Sequence, residues 1–238
     1  MQIDFIKVPY TTGPNMIKNT GPVFVSPPDP EILKQKKSEI ERYGRDLHGQ
    51  VQGLERVIEK AALYCNVYSD QVIDLALRLE EDVAVMHQGR LAAISFCFPS
   101  GFIPASRLGM FLADIHAPVA DSGMLVKSSP GIAKVMCEQA SFVRHVWTVT
   151  ANPDLSNHPD NQKDTIPRSL SDLYFRYEHQ TTAMIDGETS LFFVRVNVLP
   201  LSEVINDRIL DSINSMTDAV LTYKNLHQIK ALLNSQRR

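Results

Sequence analysis

Five runs of strand-forming residues occupy the middle of the chain, and they constrain its fold more than any other feature. The first two, Asp82–His87 and Arg90–Phe98, are separated by Gln88-Gly89, which fits the two-residue turn of a β-hairpin. After a helical interval come three further strand candidates, Phe142–Thr150, Leu173–Met184 and Thr189–Leu199. A hairpin, a helical crossover and three more strands predict an α+β protein built around a five-stranded antiparallel sheet.

Helical patterns flank and interrupt these strands. Asp29-Pro30 supplies an N-cap and a proline at the first helical position for a helix from Glu31 to about His48. Apolar residues at helical spacing predict further helices at Ser69–Arg78, Arg107–Asp114 and Pro130–Glu138, and a closing helix within 202–235. Residues 1–30 hold six prolines, which exclude regular helix, so an extended arm is expected there.

These patterns divide the chain into three parts. We expect an N-terminal arm and helix (1–68), a central ligand-binding domain (69–201) and a C-terminal helix (202–238). The polar segment 151–171 carries too little apolar surface to pack on its own. We expect it to form a loop over the mouth of the binding site that is mobile without ligand.

Charge and cysteine content exclude several classes of protein. The formal net charge of −3 provides no positive field for nucleic acid phosphates. No apolar run approaches the roughly 18 residues that a membrane span needs, and the N-terminus lacks the pattern of a signal peptide. The three cysteines are scattered and form no Cys-x-x-Cys pair, which argues against a zinc ribbon or a disulfide scaffold. A soluble, cytoplasmic protein without nucleic acid or membrane partners is expected.

Four segments carry a resemblance to a known family. They are Glu80–Met86, Phe98–Phe102 with Ile115–Val119, Val143–Val149, and Phe175–Thr181 with Leu191–Val196. The Ile-His-x-Pro-Val run and the Arg-x-Glu-x-Gln-Thr strand are the most specific, and together the segments resemble the haem-dependent oxidative N-demethylases, enzymes with a PAS fold. The chain departs from the family at His179, where the family has arginine, and at Val146, where it usually has asparagine. The resemblance is therefore a better guide to the fold of this chain than to its substrate.

The resemblance implies a fold, a cofactor and an activity. The fold would be a PAS-like five-stranded antiparallel sheet with helices enclosing a ligand cavity, and with extra helices at both ends. The protein would be a monooxygenase that uses haem b and O2 to demethylate or otherwise oxidise a small amine. Electrons would come from a separate flavin and iron–sulfur reductase, because the chain has no GxGxxG fingerprint and no cysteine cluster. A homo-oligomer is compatible with this picture.

A second hypothesis belongs to a different class of function. The same fold could serve as a non-catalytic PAS-type module that binds haem or a small ligand as a sensor. The missing arginine at position 179 favours this alternative.

Five residues are candidates for the site that the resemblance implies. His116 is the expected iron ligand, although it could instead cap the C-terminus of a short helix. Glu178 is the candidate catalytic carboxylate that would hold a substrate ammonium, unless it forms a cross-strand ion pair with Arg195. Arg144 and Arg195 would bind haem propionates or orient the substrate, and Arg144 could also be a solvated strand charge. His179, also a candidate catalytic residue, could be a second haem ligand, a proton donor to bound oxygen or a surface residue.

Overall fold

The computed structural model describes residues 3–139, 141–161 and 166–235. Its centre is one antiparallel sheet with strand order β1-β5-β6-β7-β3-β4-β2. The strands are β1 (Ile17–Lys18), β2 (His48–Gln50), β3 (Asp82–His87), β4 (Arg90–Ser95), β5 (Phe142–Thr150), β6 (Tyr174–Met184) and β7 (Thr189–Pro200). The expectation of five strands was wrong, because β1 and β2 extend the two edges of the sheet. These edge strands are two and three residues long, too short to show a period in the sequence.

Eight α-helices accompany the sheet in the described part of the chain. They are α1 (Pro30–Leu47), α2 (Glu55–Tyr64), α3 (Val72–Ala76), α4 (Leu112–His116), α5 (Gly123–Glu138), α6 (Asp207–Asn214), α7 (Asp218–Tyr223) and α8 (His227–Ser235). The start of α1 is confirmed, since the Asp29 side chain accepts a hydrogen bond from the Glu31 amide at 2.8 Å. Helix α2 was not expected, and α5 begins well before Pro130, which lies inside the helix.

The single C-terminal helix expected from the apolar pattern was also wrong. Three short helices replace it, and two of the new starts have side-chain caps. The Asn206 side chain accepts from the Ile209 amide, and the Thr217 hydroxyl accepts from the Val220 amide. The apolar stripe therefore remains continuous while the backbone turns twice.

The hairpin between β3 and β4 is confirmed. Gln88 and Gly89 have φ values of 50° and 74°, and two consecutive positive φ angles are what a type I′ hairpin turn requires. The turn sets the register in which His87 faces Arg90 and Met86 faces Leu91, and a bulge between Val85 and Met86 then shifts the register by one residue, so that Val85 faces Ala93. Local turn chemistry thus determines the pairing next to the turn.

The sheet separates two apolar regions because side chains alternate between its faces. On one face, Val83, Val85 and Phe193 pack with α2 and α3, and Trp147 and Phe175 pack with α6, α7 and α8. On the other face, Ala84, Met86 and Phe192 turn towards the segment that contains α4 and α5. The division into 1–68, 69–201 and 202–238 remains a prediction, although β1 and β2 bring the first segment into the common sheet. Across the described ranges, no helix is both long and apolar enough to cross a membrane.

Candidate ligand-binding cavity

A cavity of about 1260 Å³ lies on the second face of the sheet, beneath the crossover formed by α4 and α5. Small-molecule pockets typically measure about 300–1,000 Å³, so this cavity has room for a large ligand. Its apolar walls come from the sheet and from the crossover: Ala84, Met86, Phe192, Ile115, Ile132 and Met136. Such walls suit a mostly apolar ligand.

The cavity reaches around the outer edge of β5. Strand β1 pairs only with Phe142 and Val143, so the rest of that edge has no strand partner among the described residues. Lys224, just after α7, donates a hydrogen bond from Nζ to the Trp147 carbonyl at 2.9 Å. Tyr10 of the N-terminal arm packs edge-on against the Trp147 ring at 6.1 Å. The arm and the C-terminal helices therefore close the cavity at this edge.

His116 lines the cavity at the end of α4. Its Nδ1 lies 2.8 Å from the Leu112 carbonyl, and because a carbonyl can only accept, Nδ1 carries the hydrogen. Nε2 is then the bare nitrogen, which is the form that ligates a metal. Burial lowers the pKa of His116, the bond to Leu112 opposes that effect, and the nearby Arg144 guanidinium lowers it further. The imidazole is therefore neutral at pH 7.

The Glu178 carboxylate lines the same cavity from the centre of the sheet. Its Oε1 accepts from the Ser100 hydroxyl, and its Oε2 accepts from Gln180 Nε2 at 2.6 Å. A carboxylate offers about four acceptor positions, so two bonds fix its orientation and leave capacity for a ligand. Glu178 is thus a held acceptor at the cavity wall.

Arg176 is a residue that the sequence reasoning missed. Its side chain is only 4% exposed, and its guanidinium donates to the Phe98 carbonyl at 3.1 Å, to the Leu155 carbonyl and to the Ser100 hydroxyl. Burial lowers its pKa, while Glu178 and Asp82 oppose that effect. Arg176 therefore positions Ser100, which in turn holds Glu178.

A buried ion pair holds the backbone of Cys97 and Phe98, just before Ser100. Lys36 of α1 lies 3.6 Å from Asp82, and both side chains are at most 1% exposed. Asp82 accepts from the backbone amides of Cys97 and Phe98, each at 2.9 Å. A lysine in an amphipathic helix is normally expected at the surface, so the sequence does not predict that Lys36 is buried.

Arg144 also lines the cavity, on β5. Its Nε is buried and has no hydrogen-bond partner. Burial lowers the pKa of its guanidinium, and the Glu178 carboxylate is the largest influence in the opposite direction. A guanidinium with an unpaired Nε at a cavity wall is matched to an anionic group, because arginine binds carboxylates bidentately.

His179 and Arg195 lie on the opposite face of the sheet from Glu178. The register pairs His179 with Arg195 and pairs Glu178 with Val196. The Glu178–Arg195 ion pair considered as an alternative is therefore wrong, because the two side chains point to opposite faces. Arg195 instead acts on Glu81, whose pKa is raised by burial and lowered by Arg195. Neither His179 nor Arg195 belongs to the wall of the cavity.

His179 instead belongs to an aromatic cluster. Its ring lies 5.0 Å from that of His145, which stacks on Phe5 of the N-terminal arm at 4.3 Å. Burial lowers the pKa of His179 to about 4, and the neighbouring His145 and Arg195 contribute in the same direction. The departure from the family at position 179 therefore falls outside the cavity, against the expectation from the sequence.

Part of the polar segment 151–171 lines the cavity mouth, as expected, through Asn152, Asn157 and Ile166. Residues 151–161 are tied down more firmly than their composition suggested. His158 is fully buried and stacks on Tyr43 at 4.0 Å. Residues 162–165 lie outside the described residues, and the mobility of the segment remains a prediction.

Comparison with protein families assigns the chain. The model of the family described as haem-dependent oxidative N-demethylase, alpha subunit-like, matches residues 37–233. The chain therefore belongs to this family, whose description makes its members haem-dependent and oxidative. A family of this kind implies an electron-transfer partner. No curated protein matches the chain.

The residues that line the cavity fit a haem. No group of three or more His, Cys, Asp or Glu that could hold a bare metal ion occurs in the described part of the chain. Haem iron needs less from the protein, because the porphyrin supplies four nitrogens and one axial histidine completes a typical site. The neutral His116 and the unpaired Arg144 Nε match the iron and the carboxylates of such a cofactor.

Proposed function

We propose that this chain is the haem-binding subunit of a monooxygenase that oxidatively demethylates a small amine. The observation that carries the proposal is that one cavity brings together His116, Arg144 and Glu178 in a member of a haem-dependent oxidative family. Haem b, when bound, supplies the O2 chemistry that side chains lack. Electrons come from a separate flavin and iron–sulfur reductase.

Each of the three residues has one task in this proposal. His116 holds the iron through Nε2, since its Nδ1 is occupied by the Leu112 carbonyl. Arg144 pairs with a propionate. Glu178 accepts hydrogen bonds from the ammonium of the substrate, because Ser100 and Gln180 leave acceptor positions free. The apolar walls exclude water, which strengthens this charge-assisted bond.

A PAS-like architecture is part of the proposal. The hairpin β3–β4, the crossover through α4 and α5, and the antiparallel strands β5, β6 and β7 support it. The non-catalytic sensor loses its main argument, because the His179 side chain does not line the cavity. We therefore favour the enzyme.

The iron ligand is tested by ultraviolet–visible spectroscopy of the haem-loaded protein. We expect His116→Gly to lose or shift the Soret band, and added imidazole to restore it, while the circular dichroism spectrum stays native. His179→Gly is the matched control, and its Soret band should be unchanged. An unaltered band in His116→Gly would remove the ligand assignment, and a lost band in His179→Gly would transfer it to that residue.

The substrate role is tested by amine binding to the haem-loaded protein. Glu178→Gln keeps the shape of the side chain but removes its charge. Loss of a charge-assisted hydrogen bond of about 1.5–3 kcal/mol should weaken the binding of a small amine roughly 10- to 150-fold. Haem content should stay unchanged. If amine affinity stayed the same, the substrate would be neutral or would bind elsewhere, and the demethylase proposal would fail.

A further inference from the structure

The charges around the cavity are strongly unbalanced. Among the described residues that line it, the cationic side chains are Lys7, Arg107, Arg144, Arg176 and Lys224, and the single carboxylate is Glu178. The whole chain has a formal net charge of −3, so this cationic excess is local. An excess of buried positive charge is costly unless an anion neutralises it.

The cationic side chains differ in how many of their hydrogen-bond donors have an acceptor within the protein. Arg176 is engaged by the Phe98 and Leu155 carbonyls and by Ser100. Lys7 donates to Asn15 at 2.6 Å and is exposed. Arg144 and Lys224 are different, because each lies at the cavity and keeps unused donor capacity.

Lys224 has a single hydrogen bond from its ammonium, to the Trp147 carbonyl, while an ammonium has three hydrogens to donate. Arg144 has a buried Nε without a partner. Both therefore retain donors that the protein does not satisfy. Lys224 follows α7 and Arg144 lies on β5, so two distant parts of the chain bring them to the same cavity.

The same carboxylate, Glu178, favours the charged forms of both Arg144 and Lys224. Burial lowers the pKa of Lys224 to about 8 and lowers that of Arg144, and in both cases Glu178 is the largest opposing influence. Arg144 further lowers the pKa of Lys224, as like charges do. Glu178 and Asp82 both act on Arg176, so the single charge of Glu178 does not neutralise Arg144 and Lys224 together.

We propose that Arg144 and Lys224 form a paired cationic site for the two carboxylates of a single dianionic ligand. The inference rests on the proposed function, because it identifies the dianion as haem and the carboxylates as its two propionates. Two carboxylates match the two positive charges of Arg144 and Lys224 and occupy their unused donors. Lys224 thereby becomes a second cofactor-positioning residue, alongside Arg144.

The paired site also sets the order of binding. Before the dianion is present, the positive charges of Arg144 and Lys224 repel an ammonium. Once the two propionates neutralise them, the ammonium can approach the free acceptor positions of Glu178. The amine therefore binds the haem-loaded protein and not the haem-free protein.

The test compares haem with its dimethyl ester, in which methyl esters replace the two charged propionates. Haem and haem dimethyl ester are titrated into the haem-free full chain, and the Soret band gives the affinity of each. We expect the wild type to prefer haem, and Arg144→Gln and Lys224→Met each to lose about tenfold or more of that preference. Lys224→Arg keeps the charge and should keep most of the preference. Lys134→Met, on the exposed face of α5, is the control and should match the wild type.

Each outcome decides one question. A wild type that binds both porphyrins equally, or variants that keep the preference, would overturn the paired site and leave haem binding intact. A wild type that binds neither porphyrin would instead refute the proposed function and the inference with it. A variant that misfolds loses both porphyrins together, so the ratio of the two affinities is the decisive quantity. If a variant misfolds, the test rests on the ratio of the affinities for haem and its ester in the wild type and in Lys224→Arg.

Discussion

The buried pair of Lys36 and Asp82 should make a large contribution to stability, because removing Lys36 leaves a buried carboxylate without its counter-charge. In Lys36→Met, Asp82 keeps its bonds from the Cys97 and Phe98 amides. The carbonyls of Ala76, Leu79 and Glu81 lose the donor that now reaches them at 2.9, 3.0 and 2.6 Å.

The magnitude follows from these contacts. Breaking one side of a buried ion pair costs about 3–5 kcal/mol. Burial already raises the pKa of Asp82, and Lys36 is the largest influence against that rise. Without Lys36 the carboxyl group can take up a proton, which limits the cost, so we expect a loss of about 3 kcal/mol at neutral pH. The loss should shrink as the pH falls.

Urea unfolding measures this loss as a lower midpoint with an unchanged slope. Lys34→Met is the matched control on the same helix, because Lys34 is 79% exposed and its contact with Glu31 is a surface pair. It should change the free energy of unfolding by no more than about 0.5 kcal/mol. The double variant Lys36→Met/Asp82→Asn should lose less than the sum of its single variants. A loss below about 1 kcal/mol in Lys36→Met, or strict additivity, would refute the reasoning.

Three further outcomes are expected. Arg176→Met should lower the melting temperature by several degrees and weaken haem binding, because it leaves the carbonyls of Phe98 and Leu155 without a donor. Thermal unfolding measures the first effect, with Arg78→Met at an exposed position as the control. The free energy of unfolding should fall as the pH drops from about 6.5 towards about 4, because burial holds the pKa of folded His179 at about 4 and the unfolded chain binds more protons in this range. His179→Gln should make the free energy of unfolding depend less steeply on pH. A dependence as steep as that of the wild type would contradict the assignment to His179. Calorimetric titration of a small amine should give heat only with the haem-loaded protein, and binding to the haem-free protein would contradict the order of binding.

The sequence alone determined the local features of this protein. Strand β5 has the predicted bounds, and β6 and β7 differ from prediction by one residue at one end. Helix α1 and the turn at Gln88 also follow from nearby residues. Periodicity, capping and turn chemistry act over a few residues, so the local sequence is enough to predict them.

The family segments likewise pointed to His116, Arg144 and Glu178, which the fold brings to one cavity. Alternation along β6 requires Glu178 and His179 to face opposite sides, but it does not reveal which side holds the cavity. That choice, together with the burial of Lys36 and the approach of Lys224, depends on contacts between residues far apart in the chain. Only the tertiary structure decides them, because a buried charge is tolerated only where distant groups compensate it.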